Sequence, residues 1–358
     1  MTDHLDDLRS AAEAMFAGRE PHDAVPDPEL DTLLWKSLDE TGFSLLGVPE
    51  EAGGSGGTLA DAAAVLEIAA AHLARVPLGE TAVLAGWMLA GSGLAVPDGP
   101  LAAAAGDLAL RRDGESWVAH GWLPDVPWAR HCGHAVLLVP ATEPRLVLLP
   151  LRGTPGVAVH PDTNVAGEPR DTVELTGLTL PAAAVRPAGP GIDQDAWEIR
   201  GALLRTVQLA GAAQHVLSAT VRHTREREQF GRSLSRFQVV QHQLAVLAGE
   251  VSAMQVAARA AVLAYETARA TAAVAVGAAK ATASASAHTV AAIGHQLHGA
   301  LGFSEEHRLG AATTRLWAWR EEFGNEDVWH ERLGAAVATA GPGGLWRLAT
   351  GRAAEVGP

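Results

Sequence analysis

One cysteine, Cys132, in 358 residues excludes a disulfide within the chain, so the fold must be held by packing, and the composition suits a reducing compartment. Basic charge is also scarce. Against 41 aspartates and glutamates stand 27 lysines and arginines, and the net charge of −14 disfavours any general attraction to nucleic acid or to an anionic lipid surface. An anionic ligand must therefore be held by a local cluster of cations. The first residues, Met1-Thr2-Asp3-His4-Leu5-Asp6-Asp7, are acidic and lack the charged-then-apolar layout of an export signal. No apolar run reads as a membrane span once its interspersed polar residues are counted. The expectation is a cytoplasmic protein that meets neither nucleic acid nor membrane. Metal ligands are thin as well: His131-Cys132-Gly133-His134 and His295-Gln296-Leu297-His298 each bring two imidazoles close, but neither completes a four-ligand set, and no metal site is expected. The glycine run 53–57 lacks the lysine of a P-loop and reads as a turn.

What the chain has in quantity is apolar residues, 48% of the total, enough at this length to build two or three structural units. Residues 1–100 read as a helical domain: Leu30, Leu33, Leu34 and Leu38 follow helical spacing, and Ala60 to Leu73 is a run of strong helix formers. Residues 101–190 change texture to short runs such as Ala135-Val136-Leu137-Leu138-Val139 and Leu146-Val147-Leu148-Leu149, broken by Pro and Gly. These read as buried strands of a small β domain that closes at the linker Pro187-Ala188-Gly189-Pro190-Gly191. From 191 to 358 helices return. Leu203, Val207, Ala210, Gln214, Leu217 and Val221 share one stripe, and Leu244, Leu247, Val251, Met254, Ala258 and Ala261 another. Ala268 to Ala292 reads as a close-packed helix, with Lys280 a charge inside it. The fold class expected is α+β, mostly α, ending in a four-helix bundle.

Between the two striped helices lies Glu226-Arg227-Glu228-Gln229-Phe230-Gly231-Arg232, followed by Phe237-Gln238. Arginine offers a planar fork for phosphate oxygens, phenylalanine a face for a flat ring, and glutamine a donor–acceptor pair for an amide or hydroxyl edge. Arg222, Arg225, Arg227, Arg232 and Arg236 concentrate positive charge in an acidic chain, as a dinucleotide grip requires. A solvated face, with these arginines paired to Glu226 and Glu228, is the competing reading.

Together with this order of domains, three strings resemble the acyl-CoA dehydrogenase family: Leu34-Trp35, Gly42-Phe43 and Val48-Pro49-Glu50-Glu51-Ala52-Gly53-Gly54-Ser55-Gly56 near the start, Arg227 to Gly231 with Phe237-Gln238, and Gln296-Leu297-His298-Gly299-Ala300-Leu301-Gly302-Phe303. In that family a proton leaves Cα of an acyl thioester while a hydride passes from Cβ to FAD. The resemblance implies that Arg227, Gln229, Phe230 and Gln238 meet the ADP half of FAD, and Gln296 and Gly299 its pyrophosphate. Gly299 and Gly302 would equally suit a helix C-cap. Ala300 stands where the family usually has another glycine.

Elsewhere the chain departs from the family. The Trp-Ile-Thr strand that meets the flavin ring is not recognisable in Trp122-Leu123-Pro124-Asp125-Val126-Pro127-Trp128-Ala129. Counting from Gln296, the family's catalytic glutamate falls on Phe323, with Glu322 one residue off; the family's second position falls near Gly201, one turn from Glu198. Neither carboxylate is assigned as the base. Strings that act on a neighbouring subunit's FAD are kept, and those that act within the subunit are lost. The resemblance thus implies one half of a heteromeric dehydrogenase sharing FAD with a partner chain. Its substrate would be an acyl-CoA or an acyl-carrier thioester, in a homo- or hetero-oligomeric dimer or tetramer. Trp317 and Trp319 could line an acyl pocket or a bundle edge. A non-catalytic structural partner and a flavin-independent enzyme on the same fold are the alternatives.

Overall fold

The computed structural model of the chain describes residues 2–17, 29–267, 269–303 and 308–346. Ala268, at the start of the alanine-rich stretch, and residues 304–307 lie outside the described residues. The chain divides into two compact units: residues 1–8, 26–66 and 74–200 form one, and residues 9–25, 67–73 and 201–358 the other.

The helices of the N-terminal third are α1 (Thr2–Ala17), α2 (Thr32–Glu40), α3 (Leu59–Ala71) and α4 (Trp87–Gly91), which continues a π-helical segment, Gly79–Gly86. Asp31 caps α2 by accepting from the Leu34 amide, and the helix buries Leu34, Trp35 and Leu38. The glycine-rich turn is a close-packing device: a Cβ on Gly54 would overlap the Val48 backbone. In the π-helical segment the Val83 carbonyl accepts from Nε of the buried Arg200 at 2.5 Å, and that guanidinium lies 4.9 Å from the Trp87 ring.

The β region follows in the same unit. Its strands are β1 (Leu101–Ala105), β2 (Ala109–Asp113), β3 (Ser116–Pro127), β4 (His134–Val139), β5 (Arg145–Pro150), β6 (Val157–His160), β7 (Arg170–Pro181) and β8 (Val185–Pro187). They make two four-stranded sheets, β1-β4-β5-β8 and β2-β3-β7-β6, with β1 and β4 the parallel pair. Both sheets face one core that includes Leu123, Val126, Leu137, Leu149, Val173 and Leu178. The two expected strands are β4 and β5, buried on both faces as their unbroken apolar runs require.

In the second unit, α5 (Gln194–Glu226, from residue 201), α6 (Gln238–Thr267), α7 (Arg269–His298) and α8 (Arg308–Glu321) make up the bundle, and α9 (Glu326–Ala340) packs on α7. A two-residue hairpin, β9 (Glu228–Gln229) and β10 (Arg232–Ser233), joins α5 to α6. Glycine inside a helix costs about 1 kcal/mol against alanine. Here it lets helices meet closely: a Cβ on Gly294 of α7 would crowd Val216 of α5, and one on Gly277 would crowd Trp329 of α9. The alanine-rich α7 is thus the close-packed axis of this unit.

One expectation needs correcting. By length and composition α6 is apolar enough to cross a bilayer, contrary to the reading that no such run exists. Its row Leu247, Val251, Met254, Ala258 and Ala261 is buried within the unit, as in a core helix.

Candidate functional site

The end of α5 and the hairpin position the arginine–aromatic string. Helical bonding ends where the Arg227 amide donates to the His223 carbonyl at 2.8 Å, and the Leu234 amide then donates to the Arg227 carbonyl at 2.9 Å to close the hairpin. Between β9 and β10 only Phe230 and Gly231 remain, with φ of 52° and 75°. A two-residue turn with both φ positive matches the twist of its strands, but glycine or asparagine ordinarily occupies its first position. Phe230 is 92% exposed there, so its ring gains no packing against solvent exclusion in exchange for the left-handed backbone. It meets Phe237 edge-on at 6.3 Å, and the Arg232 guanidinium lies 4.0 Å from the Phe237 ring.

Arg227, Gln229 and Gln238 are exposed alongside it. Among the described residues none of Arg222, Arg225, Arg227, Arg232 and Arg236 makes an ion pair, although Glu226 and Glu228 are close in sequence. No ion pair to Glu226 or Glu228 is there to support the solvated salt-bridge reading, and five cations gather at one end of the unit in a chain of net charge −14.

Gln296 and Gly299 lie at the far end of α7, where the helix terminates at His298 and Gly299 takes φ of 62°. This is a C-terminal glycine, as the capping reading holds, and it also borders a groove of about 550 Å³ lined by His288, His295, Gln296, Gly299, Ala300 and Trp317. A Cβ on Gly299 would meet nothing, whereas one on Gly302 would press on His298 and Leu309. The tight glycine is Gly302, and Ala300 lies exposed at the edge of the groove. Trp317 borders that groove edge-on to His288 at 5.6 Å, while Trp319 is buried. Stacked imidazoles tie the end of α7 to the end of α5: His223 and His298 lie 4.4 Å apart, and His298 Nδ1 bonds the Gly294 carbonyl. Sequence spacing carries no signal for this pair.

The region counted for the base is built in the opposite way. Arg205 of α5, 1% exposed, donates from Nε to Glu322 Oε2 at 2.6 Å and also bonds Gln208. Phe323 turns back with φ of 57°, and its ring lies on Gly201, where any Cβ would overlap it. Lys280 is buried, not stretched to water: its ammonium donates to the carbonyls of Arg320 (2.7 Å) and Gly324 (2.6 Å) and to Ser284 Oγ (3.0 Å). Three donors meet three acceptors. Burial pushes the Lys280 amine down to about 7, the Glu322 carboxylate opposing the shift. Both places where the counting put a carboxylate are thus filled, one by an ion pair and the other by a phenyl ring. Arg205 is the residue that sequence reasoning missed; its one signal is an arginine within the apolar run from Gly201 to Ala213.

In the other unit, Glu198 accepts from Gln194 at 2.9 Å. Where the flavin-ring strand was sought, β3 breaks register between Leu123 and Val126, and the exposed Pro124 and Asp125 bulge outward, Asp125 with φ of 55°. Trp122 is exposed and stacks on His160 at 5.4 Å, with His160 held by Glu174. Proline supplies no amide, so this bulge offers few donors to a bound ring. Cys132 is buried, which raises its thiol well above the usual range.

Models of the acyl-CoA dehydrogenase N-terminal and C-terminal domains match residues 2–94 and 200–338. The acyl-CoA dehydrogenase IpdE2 of Mycobacterium tuberculosis is 30% identical over 291 residues, covering 79% of this chain and 80% of that protein. Among solved structures, the ChsE4–ChsE5 complex of Mycobacterium tuberculosis aligns with a TM-score of 0.83 at 22% identity, over 94% of this chain and 98% of that one. A Tcur3481–Tcur3483 steroid ACAD aligns at 0.82 and 26% identity, over 95% and 99%.

Proposed function

Since the chain belongs to the acyl-CoA dehydrogenase family of flavoprotein oxidoreductases, we propose that it is the cofactor-gripping subunit of a heteromeric enzyme that introduces an α,β double bond into an acyl thioester. One observation carries the reading: Phe230 stands 92% exposed on a left-handed backbone amid arginines without ion pairs. An apolar ring held out at a conformational cost, beside uncompensated cations, fits a flat, anionic ligand supplied from outside the unit.

The ADP portion of FAD has that chemistry, and the residues fit it. Arg227 would neutralise phosphate oxygens, Phe230 would lie against the adenine, and Gln229 and Gln238 would bond its polar edges. At the end of α7, Gln296 and the open backbone at Gly299 would receive the pyrophosphate. FAD, when bound, accepts the hydride that leaves Cβ. The bulge on β3 does not fit the ring, and Glu322, engaged by Arg205, is not free to take the Cα proton. Both tasks then belong to the partner, a chain of the same family. Two structural relatives are pairs of chains, ChsE4–ChsE5 and Tcur3481–Tcur3483, which supports a paired assembly here. The second of these is a steroid ACAD.

The test is the visible flavin spectrum of the chain purified alone and after co-expression with a candidate partner. Flavin and acyl-CoA oxidation are expected only in the complex, and Arg227→Ala with Phe230→Ala should strip the flavin from it. Stoichiometric FAD and acyl-CoA oxidation by the chain alone would overturn the reading.

A further inference from the structure

The string from Arg222 to Arg236 carries more positive charge than a diphosphate answers. It holds five arginines against two glutamates, with no lysine or aspartate, a formal charge of +3 within a chain of −14. All five arginines are exposed, and among the described residues none makes an ion pair. Like charges held together in the open are unfavourable unless an anion joins them. A diphosphate diester, with one ionised oxygen on each phosphorus, leaves part of that charge unmatched.

The places of the arginines sharpen the point. Arg225 lies in the last turn of α5, where a cation complements the helix carbonyls. Arg236 has no such use: it precedes α6 by two residues, at the helix end that disfavours positive charge. Arg232 holds its guanidinium 4.0 Å from the Phe237 ring, and Phe237 meets Phe230 edge-on at 6.3 Å. Cations therefore flank the exposed ring on both sides of its turn, Arg227 just before β9 and Arg232 in β10. A flat ring with a diphosphate and a further anion close to the ring matches an adenosine 5′-diphosphate whose ribose bears a phosphomonoester. That monoester adds about −1.5 to −2 at neutral pH, next to the adenine. Arginine receives such a group through paired N–H donors.

We propose that in the chain by itself the Phe230 hairpin binds a ribose-phosphorylated adenosine diphosphate, the group that coenzyme A and NADP share, with Arg232 and Arg236 on the ribose phosphate. The site is the one assigned to the ADP half of FAD, so this inference rests on that reading for its consequence, competition with FAD, and on charge and exposure alone for the binding.

Equilibrium dialysis of the full chain against coenzyme A, dephospho-coenzyme A, NADP and NAD tests it. At low salt at least one phosphorylated nucleotide should bind about fivefold tighter than its counterpart without the ribose phosphate, the gain from one exposed charge pair, and added salt should narrow the gap. The two pairs separate the 3′-phosphate source from the 2′-phosphate one. Phe230→Ala should weaken all four nucleotides alike, whereas Arg232→Ala should close the gap. Should Arg232→Ala lose its fold with the Phe237 contact, Arg236→Ala gives the second reading and should narrow the gap as well. The proposal is overturned by equal binding within both pairs, by a gap that both arginine variants keep, or by nucleotide binding that Phe230→Ala leaves unchanged. Tripolyphosphate binding as tightly as coenzyme A would also overturn it, since that marks a patch for any polyanion. A chain that shows the gap while its co-expressed complex carries no flavin keeps this proposal and refutes the flavin reading; a flavin-bearing complex whose chain shows no gap does the reverse.

Discussion

Two Phe-Gly pairs in this protein share one backbone. Phe230-Gly231 has φ of 52° and 75°, and Phe323-Gly324 has 57° and 86°. The first stands on a hairpin with its ring in solvent; the second folds its ring onto Gly201, beneath a buried amine and an ion pair. The same local strain thus presents a ring in one place and plugs a space in the other. What differs is the surroundings: uncompensated arginines near Phe230, and Arg205, Glu322 and Lys280 mutually satisfied around Phe323. One ring is left outward and the other is enclosed within its unit.

Substitutions can break this contrast, because the inner region should respond in stability and the outer one in binding. The largest effect is expected from Glu322→Ala, which leaves the 1%-exposed Arg205 without its carboxylate; a loss of about 3 kcal/mol in urea unfolding follows from breaking a buried pair, with Gln208 limiting the damage. Next comes Lys280→Met, which strips two carbonyls of their donor and should cost about 2 kcal/mol. Its pH dependence sharpens the point. The folded amine sheds its proton near 7, while the unfolded one, with an ordinary value of 10.5, holds it, so the unfolded chain binds more protons between those values and stability should rise with pH across that window. Unfolding curves from pH 6 to 9 should show that rise in the wild type, and Lys280→Met should lack it.

Gly201→Ala is expected to cost about 1–3 kcal/mol, because its methyl overlaps the Phe323 ring in a filled core. The smallest change has the opposite sign. Phe230→Gly should relieve the left-handed backbone and stabilise the chain by about 1 kcal/mol while lowering flavin retention by the complex. Phe323→Gly should destabilise instead. If both phenylalanine variants shift melting in the same direction, the division into presented and plugged rings is wrong.

Much of this was legible from the chain. Of the expected seam, Leu247, Val251, Met254, Ala258 and Ala261 are buried and Leu244 is half-buried, because a 3.6-residue period leaves one face to hide. The unbroken runs of β4 and β5 became buried strands for a similar reason. The strings around Arg227 and Gln296 sit at two helix ends, which suits contact with an outside ligand. Counting residues could bring Glu322 near the base position, but it could not foresee Arg205, a residue 117 positions earlier that reaches the same carboxylate. Nor could it show that Lys280 turns inward, since a lysine among alanines fits either a wet or a buried stem.

The order of residues by itself set the succession of helices and strands, the turn at Phe230-Gly231 and the concentration of arginine around it, because periodicity, turn chemistry and charge are properties of neighbours along the chain. Only the tertiary structure decided that one phenylalanine would face solvent and another would fold its ring onto Gly201. Burial, ion pairing and the fit of a ring against a glycine depend on residues brought together from distant parts of the sequence.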